Sequence, residues 1–182
     1  MPSPRRPRVG RAALAALIAS ALLCALPAGA SAALTIDVGR GGFVVKLGAL
    51  DIRRGAMLDD ATRAFGRPSR VTPGDDVCVV RWSRLRLVTR FTSFGGVSDF
   101  CAQGFLQTAV THSRRWRTWK GLRVGMPTSQ VRERHPKARF RRGRWVLATQ
   151  SVLGGGPSPT VEAMVRGGRV SGFSLWVGAA GD

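Results

Sequence analysis

The chain has 182 residues, enough for one ordinary domain or two small ones sharing a core. It carries 29 Lys and Arg against 10 Asp and Glu, a net charge of +19 at neutral pH, so an anionic partner is one reading and an Arg-biased solvated surface the other. Two histidines and three cysteines leave no zinc ligand set once cysteines pair, so neither a metal nor another cofactor is expected.

Residues 1–32 have the layout of a secretory leader. Arg5, Arg6, Arg8 and Arg11 precede an apolar run from Ala12 to Leu26, followed by Pro27 and the triplet Ala30-Ser31-Ala32. The run is shorter than the roughly 20 residues of a membrane-spanning helix, so the mature chain is expected to begin at Ala33 without a transmembrane span. The expected location is secreted or in the cell envelope. Cys24 leaves with the leader, and Leu23 before it argues against lipid attachment. The mature chain then keeps 25 cations and 10 acids, net +15, with only Lys46, Lys120 and Lys137 as lysines. Arginine favours bidentate contact with carboxylate or phosphate.

Residues 33–50 read as a hairpin, Leu34–Val38 and Phe43–Leu47 joined by Gly39-Arg40-Gly41-Gly42. This turn lacks the Gly-Lys-Ser/Thr ending and following helix of a phosphate loop. Residues 51–118 form a first unit. After Gly55, Leu58, Ala61, Ala64 and Phe65 have helical spacing, stopped by Gly66-Arg67-Pro68. Asp59-Asp60 suits a helix start and Asp75-Asp76 follows a turn. Cys78, Val80 and Trp82, then Leu85, Leu87, Thr89 and Phe91, then Leu106, Thr108 and Val110 alternate as strands covered on one face. Cys78 and Cys101 are an even pair in an exported chain, which reads as one disulfide; a reactive pair would want C-x-x-C spacing.

Residues 119–182 repeat the order. Thr128 or Ser129 caps a short helix with Val131 inward and Pro136 at its end. Trp145, Leu147 and Thr149, then Val161, Ala163 and Val165, then Phe173, Leu175 and Val177 alternate, with Gly167-Gly168 as a hairpin turn. Gly154-Gly155-Gly156-Pro157-Ser158-Pro159 reads as a connecting loop. Ile52-Arg53-Arg54-Gly55 and Leu122-Arg123-Val124-Gly125 open the two units at a constant offset. The expected fold is α+β: two tandem repeats of short helix plus antiparallel β-meander, with helices covering one face of the sheet.

Gly55…Ala61…Phe65-Gly66-Arg67-Pro68 is similar to the repeat G-M-[ST]-x-x-[EDQ]-V-x-x-x-[LFY]-G-x-P of beta-lactamase-inhibitor-protein-like folds and small outer-membrane-assembly lipoproteins. Val124-Gly125-Met126-Pro127-Thr128-Ser129-Gln130-Val131 resembles its opening. The first copy departs at Ala56-Met57 and the second at His135-Pro136. The resemblance covers residues 48–182. It implies helix-loop-helix units on a curved antiparallel sheet used as a binding scaffold, and carries no catalytic residues.

Residues 114–144 hold twelve cations and one acid, Glu133. Arg114, Arg115, Arg117, Lys120, Arg139, Arg141, Arg142 and Arg144, with Trp116 and Trp119, are the candidate ligand-binding set: charge attracts, ring faces stack. The competing reading places the tryptophans in the core with arginine stems around the rim. An exported protein meets anionic wall polymer or an acidic protein face rather than nucleic acid. The expected function is a non-catalytic binding module for a protein or anionic envelope component. The alternatives are an envelope hydrolase using His112 or His135, which lacks a G-x-S-x-G elbow, and a structural wall-associated protein.

Overall fold

The computed structural model describes residues 34–54, 56–93, 99–151 and 157–177; the expected leader, residues 1–32, and Gly55 lie outside them. The fold is α+β, with few and short helices and sheets that are mostly antiparallel. The chain runs β1 Leu34–Val38, β2 Val44–Leu47, β3 Leu50–Asp51, α1 Leu58–Phe65, β4 Arg70–Pro73, β5 Cys78–Trp82, β6 Leu87–Thr92, α2 Phe100–Gln103, β7 Phe105–Thr111 and β8 Trp116–Thr118. It continues through α3 Ser129–Arg134, β9 Arg139–Arg141, β10 Arg144–Ser151, β11 Pro157–Arg166 and β12 Arg169–Trp176. Among the described residues, no helix is long and apolar enough to cross a membrane.

Two sheets form. The larger has the order β4-β5-β6-β7-β12-β11-β10-β9, and the smaller β3-β2-β1-β8. Antiparallel pairing of β7 with β12 sets the two meanders side by side, with β4 and β9 at the outer edges. Leu87, Thr111, Phe173, Ala163 and Trp145 stand opposite one another in register, and the first four are buried. Along β5 and β6 burial recurs every second residue because this face is covered. The core cluster joins this face to Ile36, Val44 and Leu47 of the small sheet, to Ala61 of α1 and to Val131 of α3.

The helix ends are locally determined. Asp60 accepts a hydrogen bond from the Met57 N–H and pairs with Arg63, so the acidic start of α1 closes on itself. Gly66 ends α1 with φ 81°, donating its N–H to the Thr62 carbonyl, a conformation that favours glycine. Asp99 caps α2 by accepting from the Cys101 and Ala102 N–H groups. In α3, Thr128 makes no side-chain cap bond; its N–H instead donates to the Gly168 carbonyl in the β11–β12 turn. Gly167 and Gly168 both take positive φ there, 56° and 70°, as a tight hairpin turn requires.

Three segments differ from the sequence expectation. Ser83–Leu85 forms a 3-10 turn, so β6 begins at Leu87. Pro157, Ser158 and Pro159 belong to β11 rather than to a loop. They are tolerated because β12 pairs with β11 only from Val161, leaving one flank that needs no proline N–H. Trp116–Thr118 is a strand, β8, running parallel to β1 with Leu34 opposite Trp116. Thus β1 of the N-terminal hairpin pairs with the segment that connects the two meanders.

Cys78 in β5 and Cys101 in α2 form a disulfide, tying the helix of the β6–β7 connection back onto the first meander.

Candidate basic surface

The basic stretch separates into two groups. Arg114 and Arg115 immediately precede β8, Arg117 lies within it and Lys120 follows it. Arg114, Arg115 and Lys120 are exposed, while Arg117 is half-buried with its Nε 3.2 Å from Thr35 Oγ1. Arg139, Arg141, Arg142 and Arg144 lie on the β9–β10 hairpin, all exposed. Arg144 pairs with Glu162 at 3.0 Å. Lys137, Arg139, Arg141 and Arg142 form no ion pair among the described residues. The turn itself is Arg142-Gly143, both with positive φ, 49° and 76°.

The tryptophans require a correction. Trp116 is completely buried, edge-on to Phe65 at 6.3 Å, with its indole N–H donating to the Leu85 carbonyl. Its ring has no face free for a ligand, so it leaves the candidate binding set. Trp119 is half-buried and edge-on to the His135 ring at 4.7 Å. The aromatic side chain this region does expose is Phe140, 53% accessible, its ring 5.3 Å from Trp145. Arg132 stacks over the other member of that pair, 5.3 Å from the Trp145 ring centre. The signal for Phe140 was its place between Arg139 and Arg141 on a strand exposed on both faces.

Beside this hairpin is a cavity of about 610 Å³. Lys137, Arg139 and Arg141 line one side, and Val146, Pro157 and Pro159 supply apolar wall. By register, Arg139 stands opposite Val146, and Thr149 opposite Pro159. Three cations around an apolar floor suit an anion with apolar bulk. Sequence reading names Lys137 in the basic stretch and the prolines in a connecting loop, but does not bring them together, because it cannot see that β9 and the start of β11 share one corner.

The histidines have different surroundings. His112 is exposed, its Nδ1 3.0 Å from the Ser171 carbonyl oxygen. His135 is buried, with Nε2 2.8 Å from the Thr118 hydroxyl. Burial first, then the charges of Lys120 and Arg134, lower its pKa from 6.5 to about 4. The ring is therefore neutral in the folded protein near pH 7. The unfolded chain binds a proton at His135 as pH falls through 6.5, while the folded chain waits until about 4. This group should thus cost the folded state about 2 kcal/mol by pH 5, none of it above pH 7. Chemical denaturation at pH 7 and pH 5 of the wild type and His135→Gln checks it: the difference between the two proteins should shrink at pH 5. An equal wild-type deficit in the variant would assign the acid sensitivity elsewhere. Among the described residues, no three His, Cys, Asp or Glu side chains gather as a metal site.

No family model matches the chain. No curated protein matches it either. Two solved structures are similar to it. One is an extracellular protein containing an SCP domain from Bacillus anthracis str. Ames, at 12% identity and TM-score 0.40, with 76% of this chain and 49% of that one covered. The chain thus spans about half the length of that protein. The other is the uncharacterized protein yfeY from Escherichia coli, at 11% identity and TM-score 0.35, with 79% of this chain and 98% of that one covered. Neither likeness reaches the level at which a shared fold follows.

Proposed function

We propose that this protein is an extracytoplasmic, non-catalytic binding module for an anionic partner, built from a duplicated helix-plus-meander unit. The leader-like residues 1–32 and the Cys78–Cys101 disulfide support export. The order of elements supports duplication: α1 precedes the meander β4–β7, and α3 precedes β9–β12. The observation that carries the binding reading is the β9–β10 corner. Lys137, Arg139, Arg141 and Arg142 are exposed there without a carboxylate partner among the described residues, beside Phe140 and an apolar-walled cavity. Unpaired cations concentrated at one place attract a polyanion, and the exposed ring adds contact area.

Long-chain polyphosphate is a defined probe. Its affinity for the mature protein should fall at least about tenfold as salt rises from low to several-fold physiological strength, because exposed charges are screened. Arg139→Glu with Arg141→Glu should lower it similarly at low salt. Affinity indifferent to both salt and charge reversal would overturn the proposal.

A further inference from the structure

β9 covers β10 only at Arg144, Trp145 and Val146. β10 runs on to Ser151, and among the described residues no strand lies along that flank from Leu147 onward. Gly42 stands against the Thr149 carbonyl within this stretch, and its own carbonyl accepts from Thr160 Oγ1. The open slot is therefore the part between β9 and Gly42, about two residues (Leu147 and Ala148) or roughly 7 Å of strand. The cavity lies along it: Leu147, Ala148 and Thr149 contribute to its wall, with Lys137, Arg139 and Arg141 on the β9 side.

An unpaired strand edge presents N–H and C=O groups to any extended chain that fits. Proteins commonly guard such edges with charge on the edge strand itself. Here the cations stand on β9 and the turn before it, while β10 reads Leu-Ala-Thr-Gln-Ser from Leu147 to Ser151. The charges therefore flank the slot rather than block it. A second copy of this chain is a poor occupant through the same edge, since Lys137, Arg139 and Arg141 would meet their own like charges.

We infer that this slot receives an extended acidic segment of a partner protein, which adds to β10 as a short strand in line with β9. Its backbone pairs with the β10 edge, its carboxylates meet Lys137, Arg139 and Arg141, and its apolar side chains rest on Val146, Pro157 and Pro159. The inference rests on the anionic-partner reading above and narrows it to a protein.

A ten-residue peptide of alternating Glu and Val, labelled for fluorescence anisotropy, tests it against the mature protein. A second peptide with the same side chains carries N-methyl groups on alternate residues, which removes ladder donors and keeps every charge. The expected result is binding of the first and at least about tenfold weaker binding of the second, with both weakened by Arg139→Glu/Arg141→Glu. Equal affinity for the two peptides would overturn strand addition while leaving charge attraction intact. Binding of polyphosphate but of neither peptide would also overturn it, in favour of a non-protein polymer. Failure of polyphosphate as well as both peptides would remove the anionic-partner reading itself.

Discussion

Replacing Trp116 by alanine should destabilise the fold by about 3–5 kcal/mol, the range for truncating a fully enclosed large aromatic side chain. The indole is 0% accessible and meets three elements at once. It sits edge-on to Phe65 at the end of α1, and Phe65 in turn is edge-on to Trp82 of β5 at 5.4 Å. Its N–H donates at 3.1 Å to the Leu85 carbonyl in the turn before β6. Its backbone is in β8, against Leu34 of β1. Alanine would leave a cavity where the small sheet, the large sheet and α1 converge, and backbone at a strand junction cannot close around it freely. Trp116→Phe separates packing from hydrogen bonding. It keeps most of the volume and should cost about 1–2 kcal/mol, largely for the unpartnered Leu85 carbonyl. Thr111 Oγ1 also donates to that oxygen, at 3.4 Å, which limits the loss. Urea unfolding of the three proteins reads both values. A loss below about 1 kcal/mol for alanine would mean that the ring is not packed as described.

The same residue marks where sequence reading stops. β5, β6, β11 and β12 are legible because each alternates between a covered and an open face, as in the buried Cys78, Val80 and Trp82. β7 is found as a strand, but a bulge against β6 changes its phase after Leu106, so Ala109 and Thr111 are buried in place of the expected Thr108 and Val110. β4 and β9 carry no such signal, since all their residues are exposed. Edge strands supported from one side need no apolar face, so a period of two does not develop. In β8, Trp116 and Thr118 are buried on either side of half-buried Arg117, a proper alternation. Arg114 and Arg115 before it, however, make the segment read as a charged surface on which an aromatic ring looks like a ligand platform. Composition reports the charge of a stretch and not the direction of each side chain. The candidate site was half legible for the same reason. Arg139, Arg141, Arg142 and Arg144 stand out as charge, whereas the cavity beside them depends on Pro157 and Pro159 arriving opposite Ser151 and Thr149. No local pattern encodes that register.

Removing the disulfide should cost about 3 kcal/mol. Cys78 and Cys101 are separated by 23 positions, and closing a loop of that length restricts the unfolded chain by about this much in the chain-entropy model. The folded side of the balance points the same way. α2 has four residues, Phe100–Gln103, too few to persist as a free helix. It is held by the Asp99 cap, by its packing on α1, β5 and β6, and by the bond from Cys101 to buried Cys78. Without the bond, α2 should loosen before the sheet does, because the β5–β6 and β6–β7 ladders do not pass through it. Two readouts follow. The melting temperature of Cys78→Ala/Cys101→Ala should fall by roughly 6–12 °C for a domain of this size. Reductant should lower the wild type to the same value and leave the variant unmoved. Amide exchange should quicken first in residues 99–104, with β6 and β7 protected until global unfolding. A variant as stable as the oxidised protein would show that the crosslink merely decorates a fold already closed by its core. It would also weaken the case that this chain depends on an oxidising compartment to mature.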